Sequence, residues 1–366
     1  MARWRMPWHR SIGPIGLDLG TASPCALQVR AGADEPLAAA SVAVAADATL
    51  VERAQAAADA LRRLPFVGRE IVVGLGADSA HMLVARLPEL GESDAEGAIA
   101  WEASEKTGIP HDSIVADAVR SGSPANAGDA RDEYILAAAD RDEVSAALES
   151  LVGAGFEPIA AEPRFAAVAR ALGRRSRRGS DTDNVRAVLH IDADRSTVLV
   201  LRGDRLAFCR EISTGGATLD RAVATRLGIG EAAAHALRAR RMAAIRGAGP
   251  AVEPVTEDAA TAATRAALDA LAGEVALCLR YFSVTFRGAQ PSRVVLSGPN
   301  AFEPRLAGTI ESACRAGVVG FDDELPASFL GAAGRIDGIG GDLAPWLVAF
   351  GLACRDRREA RREQAA

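Results

Sequence analysis

A glycine-marked turn between two apolar strands, near the start of the chain, is the feature that most limits what this sequence can fold into. Residues 15–29 read Ile-Gly-Leu-Asp-Leu-Gly-Thr-Ala-Ser-Pro-Cys-Ala-Leu-Gln-Val. A strand ending at Asp18 therefore turns through Gly20, Thr21 and Ser23 and returns as a second strand. The backbone N–H groups and hydroxyls of such a turn are suited to close around a phosphate group. The segment predicts one half of a nucleotide grip.

A second hairpin of similar design lies in the other half of the chain. Residues 188–201 again form two apolar strands around a turn, with Asp192 before the turn and Ser196 and Thr197 after it. One such segment is also typical of an ordinary β-hairpin, because short glycine motifs arise often by chance. Two segments in matching positions favour an internal duplication.

A pair of glycines, Gly215 and Gly216, follows a predicted strand at 206–212 and precedes a predicted helix at 219–227. N–H groups at the start of a helix can bind a phosphate. The same pattern is equally typical of a plain strand-to-helix turn, and both interpretations stay open.

Chain length and net charge limit the classes of protein to which this chain can belong. A chain of 366 residues predicts about two domains, and the net charge of −6 gives no general attraction to nucleic acid. No apolar run approaches the ~20 residues that a membrane-spanning helix needs, and no secretory signal is recognisable at the N-terminus. We expect a cytoplasmic protein without a nucleic-acid partner.

The cysteine and lysine content limits which metal, disulfide and phosphate sites the chain can form. The five cysteines form no CxxC pair, which argues against a zinc site or a disulfide framework. Of the 42 basic residues only Lys106 is a lysine, so a side-chain cation at a phosphate site has to be an arginine.

The first ten residues combine positive charge with tryptophan. Two interpretations stay open for this leader: peripheral contact with anionic lipid headgroups, and a segment without function, since ten residues with a central proline bury little area. The residues that would carry lipid contact are Arg3, Trp4, Arg5, Trp8 and Arg10.

An alternation of short strands and helices after residue 82 predicts a small α+β insert within the first domain. Its predicted helices run from Asp94 to Lys106 and from Arg141 to Gly153. The predicted organisation is a leader at 1–14, a first domain at 15–85 and 158–185, an insert at 86–157, a second domain at 186–355 and a charged tail at 356–366.

Several short motifs, in one order along the chain, resemble the PilM family of actin-like proteins in type IV pilus assembly, which is related to the division protein FtsA and to the sugar kinases. After the opening Gly-Leu-Asp-Leu-Gly-Thr they are Trp101-Glu102 with Gly108-Ile-Pro110, Ala137 to Val144, Ala154 to Pro158, Glu162 with Arg170, Arg210 to Gly216, Glu274 with Arg280 to Phe282, and Leu296-Ser-Gly298. The resemblance implies an α/β, actin-like (ribonuclease H-like, duplicated) fold of two α/β domains with a small inserted α+β subdomain.

The resemblance also implies a role and a partner. We expect a cytoplasmic scaffold of a pilus or secretion apparatus, held at the inner membrane by docking the N-terminal tail of a PilN-like protein, and open to contact with other subunits of that machinery. The expected groove lies between the first domain and the insert, edged by Ile71, Val73, Val84, Leu87 and Trp101. Trp101 has a second interpretation as a core residue, because its helix must bury one face.

If ATP and Mg²⁺ bind, the resemblance assigns the site residue by residue. The phosphate grips are Asp18, Gly20, Thr21 and Ser23 on one side and Asp192, Ser196 and Thr197 on the other. Gly215, Gly216, Arg238 and Gly298 complete the nucleotide site, and Asp18 and Glu162 lie near the metal.

The departures from the family pattern fall on this chemistry. Cys25 stands where lysine is usual in the first phosphate loop, Asp194 where a glycine is expected, and Pro299 within the adenosine loop. Acidic positions of the helix beside the base are occupied by Ala232, Ala233 and His235, although Arg238 keeps the cation. We predict an eroded nucleotide site and, at most, slow hydrolysis, since no base that would activate water is evident.

Two alternatives stay open on the same fold. One is a small-molecule kinase that uses Glu162 as a base toward a substrate hydroxyl, and the other is an FtsA-like filament-forming cytoskeletal protein. A fold alone does not choose among them.

Overall fold

Two compact units make up the chain in the computed structural model, which describes residues 12–21, 23–45, 47–88, 92–122, 131–174, 184–286, 290–336, 339 and 342–356. Within these ranges unit 1 comprises residues up to 121, 131–174 and from 325 onward, and unit 2 comprises 184–324. The basic, tryptophan-containing leader from Arg3 to Arg10 and the charged tail beyond Asp356 lie outside the described residues.

Unit 1 is built from a mixed sheet, an inserted small sheet and the helices around them. Its elements are β1 (Ile12–Asp18), β2 (Cys25–Arg30), β3 (Pro36–Ser41), α1 (Leu50–Leu61), β4 (Glu70–Leu75), β5 (His81–Pro88), α2 (Glu92–Thr107), β6 (Ile114–Gly122), β7 (Arg131–Asp140), α3 (Arg141–Gly153), β8 (Glu157–Pro163), α4 (Arg164–Gly173), α9 (Ala327–Ala333) and α10 (Leu347–Ala353).

Unit 2 repeats the mixed sheet without the insert. Its elements are β9 (Val185–Ile191), β10 (Ser196–Arg202), β11 (Arg205–Ile212), α5 (Gly216–Leu227), α6 (Glu231–Ile245), α7 (Pro254–Thr285), β12 (Arg293–Ser297), α8 (Leu306–Cys314) and β13 (Gly317–Gly320), followed by a short 3₁₀ helix at Phe321–Glu324.

The two mixed sheets have the same topology. Unit 1 has strand order β3-β2-β1-β4-β8 and unit 2 has β11-β10-β9-β12-β13. In each, three antiparallel strands continue into two parallel ones. The hairpins at Asp18 and Asp192 therefore lie at equivalent corners, β1–β2 and β9–β10, as the duplicated pattern predicts.

Apolar strands and capped helices give each unit its core. In unit 1, Ile15 and Val73 of the sheet are fully buried together with residues of α1 and α3. Thr49 begins α1 with a capping box: its hydroxyl accepts the backbone N–H of Glu52, whose carboxylate accepts the N–H of Thr49. In unit 2, the long helix α7 packs Leu268 and Leu279 against the sheet.

The C-terminal helix α10 closes the other face of the first sheet. It packs on β1 and on α4, and its backbone comes very close to β1 at Gly16, where an added Cβ would lie 2.2 Å from the carbonyl oxygen of Ala349. Only glycine permits this approach.

The insert is a three-stranded sheet of order β5-β7-β6 with α2 on one face. Its first strand, β5, begins at His81, upstream of the predicted insert boundary at residue 86. The helix α3, placed within the insert by the predicted boundaries of 86–157, packs against α1 in the core of the mixed sheet. The domain limits given above remain predictions.

Candidate nucleotide and partner site

The first phosphate turn folds back on itself. Asp18 is fully buried at the end of β1, and its Oδ1 accepts the N–H of Gly20 at 2.9 Å. Thr21 donates its hydroxyl to the carbonyl oxygen of Ser23 at 2.8 Å. The turn thus has the expected shape, but this hydroxyl already has a partner within the loop.

A guanidinium group covers the buried Asp18. Arg164, the first residue of α4, lies with its Nε 3.1 Å from Oδ1 and 3.2 Å from Oδ2 of Asp18. The side chain of Arg164 is only 11% exposed. The buried carboxylate of Asp18 therefore faces the positive charge of a guanidinium group that is itself largely buried.

Cys25 stands where the family pattern usually has a lysine, and it brings no charge to the turn. Burial raises the pKa of its thiol to about 12, and the nearby Asp18 carboxylate adds to the rise. The thiol is therefore neutral at physiological pH.

The second acidic residue assigned to the metal is also paired. Glu162 accepts hydrogen bonds from Nη1 and Nη2 of Arg170, the latter at 2.8 Å, and its Oε2 is also paired with Arg355. Strand register places Asp18 of β1 opposite Gly74 of β4, and Gly74 opposite Glu162 of β8. The two acidic residues are therefore separated by one intervening strand, with roughly 10 Å between their Cα atoms.

Within the described ranges, no three histidine, cysteine, aspartate or glutamate side chains come together as ligands for a metal ion. The two acidic residues assigned to Mg²⁺ are thus not part of a larger acidic cluster there.

In unit 2 the second phosphate turn is tied to the start of α5 by backbone hydrogen bonds. The N–H of Gly216 donates to the carbonyl of Asp192 at 2.9 Å, and that of Ala217 donates to Ala193 at 2.7 Å. Ser196 donates its hydroxyl to the carbonyl of Thr214 at 2.6 Å. The groups that would bind a phosphate therefore bind the protein itself.

Gly215 and Thr197 lie beside this turn. A Cβ at Gly215 would be 2.5 Å from the backbone nitrogen of Arg195. Thr197 pairs with Glu211 and His190 across the sheet. His190 is buried and directs Nδ1 toward the hydroxyl of Ser297 at 3.1 Å.

The loop assigned to adenosine packs onto the same helix start. Gly298 makes the turn after β12 with φ +90°, and Asn300 follows with its amide against Gly216. A Cβ on Gly216 would lie 2.6 Å from Asn300 Nδ2. Asn300 Nδ2 also donates to the carbonyl of Asp192 at 3.1 Å. The asparagine thus fills the space between the two loops.

Arg238 is the centre of a buried polar network in unit 2. It donates to Asp220 at 2.7 Å, to Glu303 at 2.9 Å, to Asn300 at 3.0 Å and to the carbonyl of Gly216 at 2.9 Å. Its side chain is 1% exposed. The cation that the resemblance assigns to the nucleotide is therefore enclosed by protein acceptors.

Arg241 continues this network one turn along α6. It binds Glu303 at 3.2 Å and Glu257 at 2.7 Å. Burial raises the pKa of Glu303, although the two arginines oppose that rise. Hydrogen bonds from Arg241 lower the pKa of Glu257.

The five residues predicted to edge a partner groove lie in different surroundings. Ile71 and Val73 are fully buried in the core of unit 1, and Leu87 is buried in the core of the insert. Val84 is half-buried, and Trp101 is 59% exposed on α2. The exposure of Trp101 contradicts its interpretation as a core residue, and its place at a partner groove stays a prediction.

Val84 and Trp101 do not share a face. Leu83, Ala85 and Leu87 pack toward α2, so the alternate residue Val84 points to the opposite face of the sheet. Trp101 lies on the outer side of α2, away from that sheet core.

A family model described as "Type IV pilus assembly protein PilM" matches residues 22–356. The chain belongs to the PilM family. No curated protein sequence matches it.

Solved structures agree on the fold of this PilM-family chain. A structure entitled "PilM-PilN type IV pilus biogenesis complex" has a TM-score of 0.71 at 20% identity, over 96% of this chain and 99% of that one. The ethanolamine utilization protein EutJ from Carboxydothermus hydrogenoformans has a TM-score of 0.52 at 14% identity, over 96% of this chain and 91% of that one. The actin-like fold is confirmed.

In this PilM-family chain, the residue that sequence reasoning missed is the arginine that pairs with Asp18 at the first phosphate turn. Arg164 has no local sequence signal, because its partner Asp18 lies 146 residues away in sequence. The available signal was the scarcity of lysine, which requires any cation at the site to be an arginine.

Proposed function

We propose that this PilM-family chain is a scaffold of type IV pilus assembly that docks the cytoplasmic tail of a PilN-like inner-membrane protein and has a degenerate nucleotide site. The observation that carries the proposal is the family match over residues 22–356, supported by the likeness to the structure of a PilM-PilN type IV pilus biogenesis complex. The tail would hold the scaffold at the inner membrane. Among the described residues, no helix is long and apolar enough to cross a bilayer.

The insert supplies the surface that suits such a tail. Its sheet is covered by α2 on one face, while Val84 of β5 and the exposed residues Val115 and Val119 of the edge strand β6 lie on the other. An edge strand with apolar side chains beside it can hold an extended peptide by backbone hydrogen bonds and a few anchors. We therefore place the docking surface on the face of the insert sheet away from α2, rather than on the buried residues Ile71, Val73 and Leu87.

A peptide titration tests this placement. The cytoplasmic tail of the PilN-like protein is titrated into wild-type protein, Val119→Asp and Val152→Asp. Val119 and Val152 are 49% and 57% exposed, but Val152 lies on α3, outside the insert sheet. We expect Val119→Asp to weaken binding at least about tenfold, equivalent to ~1.4 kcal/mol, and Val152→Asp to leave it unchanged.

Two results would contradict the proposal. If wild-type protein does not bind the tail, the scaffold role is wrong. If Val119→Asp binds normally and Trp101→Asp does not, the tail docks on the outer side of α2 instead.

ATP and Mg²⁺ do not fit the residues of either unit. In unit 1 both acidic residues assigned to the metal are paired with arginines, and the usual lysine is a neutral Cys25. In unit 2 the amides of Gly216 and Ala217 are bonded within the protein. We derive no catalytic step through a nucleotide.

A calorimetric titration with Mg-ATP tests the degenerate site, independently of the tail. No binding at micromolar concentrations is expected, and micromolar or tighter binding would refute the proposal. The kinase alternative is disfavoured by the same contacts, because a substrate hydroxyl that approached Glu162 would have to displace the guanidinium of Arg170 or Arg355.

A further inference from the structure

The buried carboxylate of Asp18 needs a counter-charge inside unit 1. An ionised carboxylate removed from water is costly unless it is paired and hydrogen-bonded. Asp18 has no exposed surface, and the amide of Gly20 supplies one hydrogen bond at 2.9 Å. A neutral amide gives a hydrogen bond but no positive charge.

Arg164 supplies that charge. Its Nε lies within 3.1–3.2 Å of both carboxylate oxygens of Asp18. The position of Arg164 at the first residue of α4, immediately after β8, brings its side chain to the end of β1, because β8 and β1 both pair with β4 in parallel.

The stem of Arg164 also lies on the phosphate turn. A Cβ added to Gly20 would be 2.3 Å from Cδ of Arg164. The side chain therefore packs directly against the turn itself.

Glu162, the second acidic residue assigned to the metal, is also paired with arginine side chains. Both oxygens of Glu162 are bound by Arg170, and Arg355 binds Oε2 as well. Mg²⁺ binds through carboxylate oxygens and water in near-octahedral geometry. Here the oxygens are occupied by guanidinium donors, whose charge would also repel a second cation.

We propose that Arg164 is a built-in counter-ion that takes the place of a divalent cation at Asp18 and thereby closes the first phosphate turn. The inference rests on the proposed function in one respect, since it explains how the actin-like fold of a scaffold persists without nucleotide. Arg164 is a positioning residue of this turn, and removing it exposes a carboxylate able to take a divalent cation.

Thermal unfolding with and without Mg²⁺ tests the proposal. Wild-type protein, Arg164→Ala and Arg174→Ala are compared in EDTA and in millimolar MgCl₂, with no nucleotide and no partner peptide present. Arg174 is the matched control, because it pairs with Asp34 in another buried ion pair of unit 1, away from the turn.

In EDTA both variants are expected to melt below wild type. Mg²⁺ should raise the melting temperature of Arg164→Ala by about 5 °C or more and leave wild type and Arg174→Ala unchanged. The double variant Arg164→Ala/Asp18→Asn should lose the response, since it lacks the carboxylate that would take the cation.

The proposal is overturned if Arg164→Ala is as stable as wild type in EDTA, or if Mg²⁺ fails to stabilise it. Should that variant not fold, Arg164→Gln is assayed in the same way and read by the same criteria. Wild-type protein gives a further test by electron paramagnetic resonance, because bound Mn²⁺ at micromolar concentration would also overturn the counter-ion role. None of these results depends on tail binding, so the scaffold proposal stands or falls separately.

Discussion

Replacing Arg238 by alanine should destabilise unit 2 strongly. The guanidinium of Arg238 is 1% exposed and is bound to two carboxylates, Asp220 and Glu303, as well as to Asn300. Without it, Asp220 and Glu303 each lose a guanidinium partner, and the amide oxygen of Asn300 loses a donor.

The magnitude follows from the buried charges that remain. Removal of one partner of a buried ion pair typically costs about 3–5 kcal/mol, and Glu303 has no exposed side-chain surface through which water could replace the arginine. For a unit of this size, such a loss lowers the melting temperature by about 10 °C.

Far-ultraviolet circular dichroism during urea and thermal unfolding measures the effect. Tryptophan fluorescence does not report on unit 2, because no tryptophan lies between residues 176 and 324. Arg240→Ala is the matched control, since Arg240 is exposed on the same helix α6 and its replacement should change the free energy of unfolding by less than about 0.5 kcal/mol.

Equal stabilities of Arg238→Ala and Arg240→Ala would refute the reasoning. That result would mean that the carboxylates around Arg238 find other partners or water, and that the network does not hold the loop of Asn300 against α5.

Three further predictions concern single side chains. Burial raises the pKa of Glu303 above 4.5, so this carboxyl contributes stability at low pH that is lost as the pH rises through its folded-state pKa. In urea titrations above about pH 4.5, the free energy of unfolding of wild-type protein should therefore fall relative to that of Glu303→Gln. A difference between the two proteins that does not change with pH would contradict this. In a variant whose other four cysteines are replaced, Cys25, with a pKa of about 12, should react with a thiol reagent at pH 8 much more slowly in native than in unfolded protein. Equal rates would show that the thiol is accessible. Trp101→Ala should lower the free energy of unfolding by less than about 0.5 kcal/mol. Trp346 is only 4% exposed, so Trp346→Ala should lower it by about 3–5 kcal/mol. Similar losses for the two variants in urea unfolding would contradict the exposed position of Trp101.

Much of the fold could be predicted because its signals are local. The turn after Asp18 and its counterpart after Asp192 are marked within a few residues, and the two sheets confirm the duplication. The helix α3 begins and ends at the predicted residues, Arg141 and Gly153. The helix α2 begins two residues earlier than predicted, at Glu92.

The groove was harder to predict, because β5 is apolar on both faces. Leu83 and Leu87 alternate with Met82 and Val84 along the strand, and only the position of α2 decides which set is buried. Strand periodicity alone does not choose between two apolar faces.

The ion pairs of the site depend on contacts between distant parts of the chain. Arg164 and Asp18 are separated by 146 residues, and Arg355 and Glu162 by 193. No spacing rule connects such residues, so the sequence predicts an altered site without indicating which side chains occupy it.

The packing of α10 on β1 fixes the order in which the two units can be completed during synthesis. The strands of unit 2 lie in one continuous stretch from Val185 to Gly320, whereas β1 is made first and its cover at Leu347–Ala353 is made after all of unit 2. A nascent chain can therefore finish unit 2 while the first sheet still lacks one of its two packing layers, and domains generally fold as units during translation. In this interval the apolar face of β1 is available to chaperones, and the domain that was begun first is the last to close.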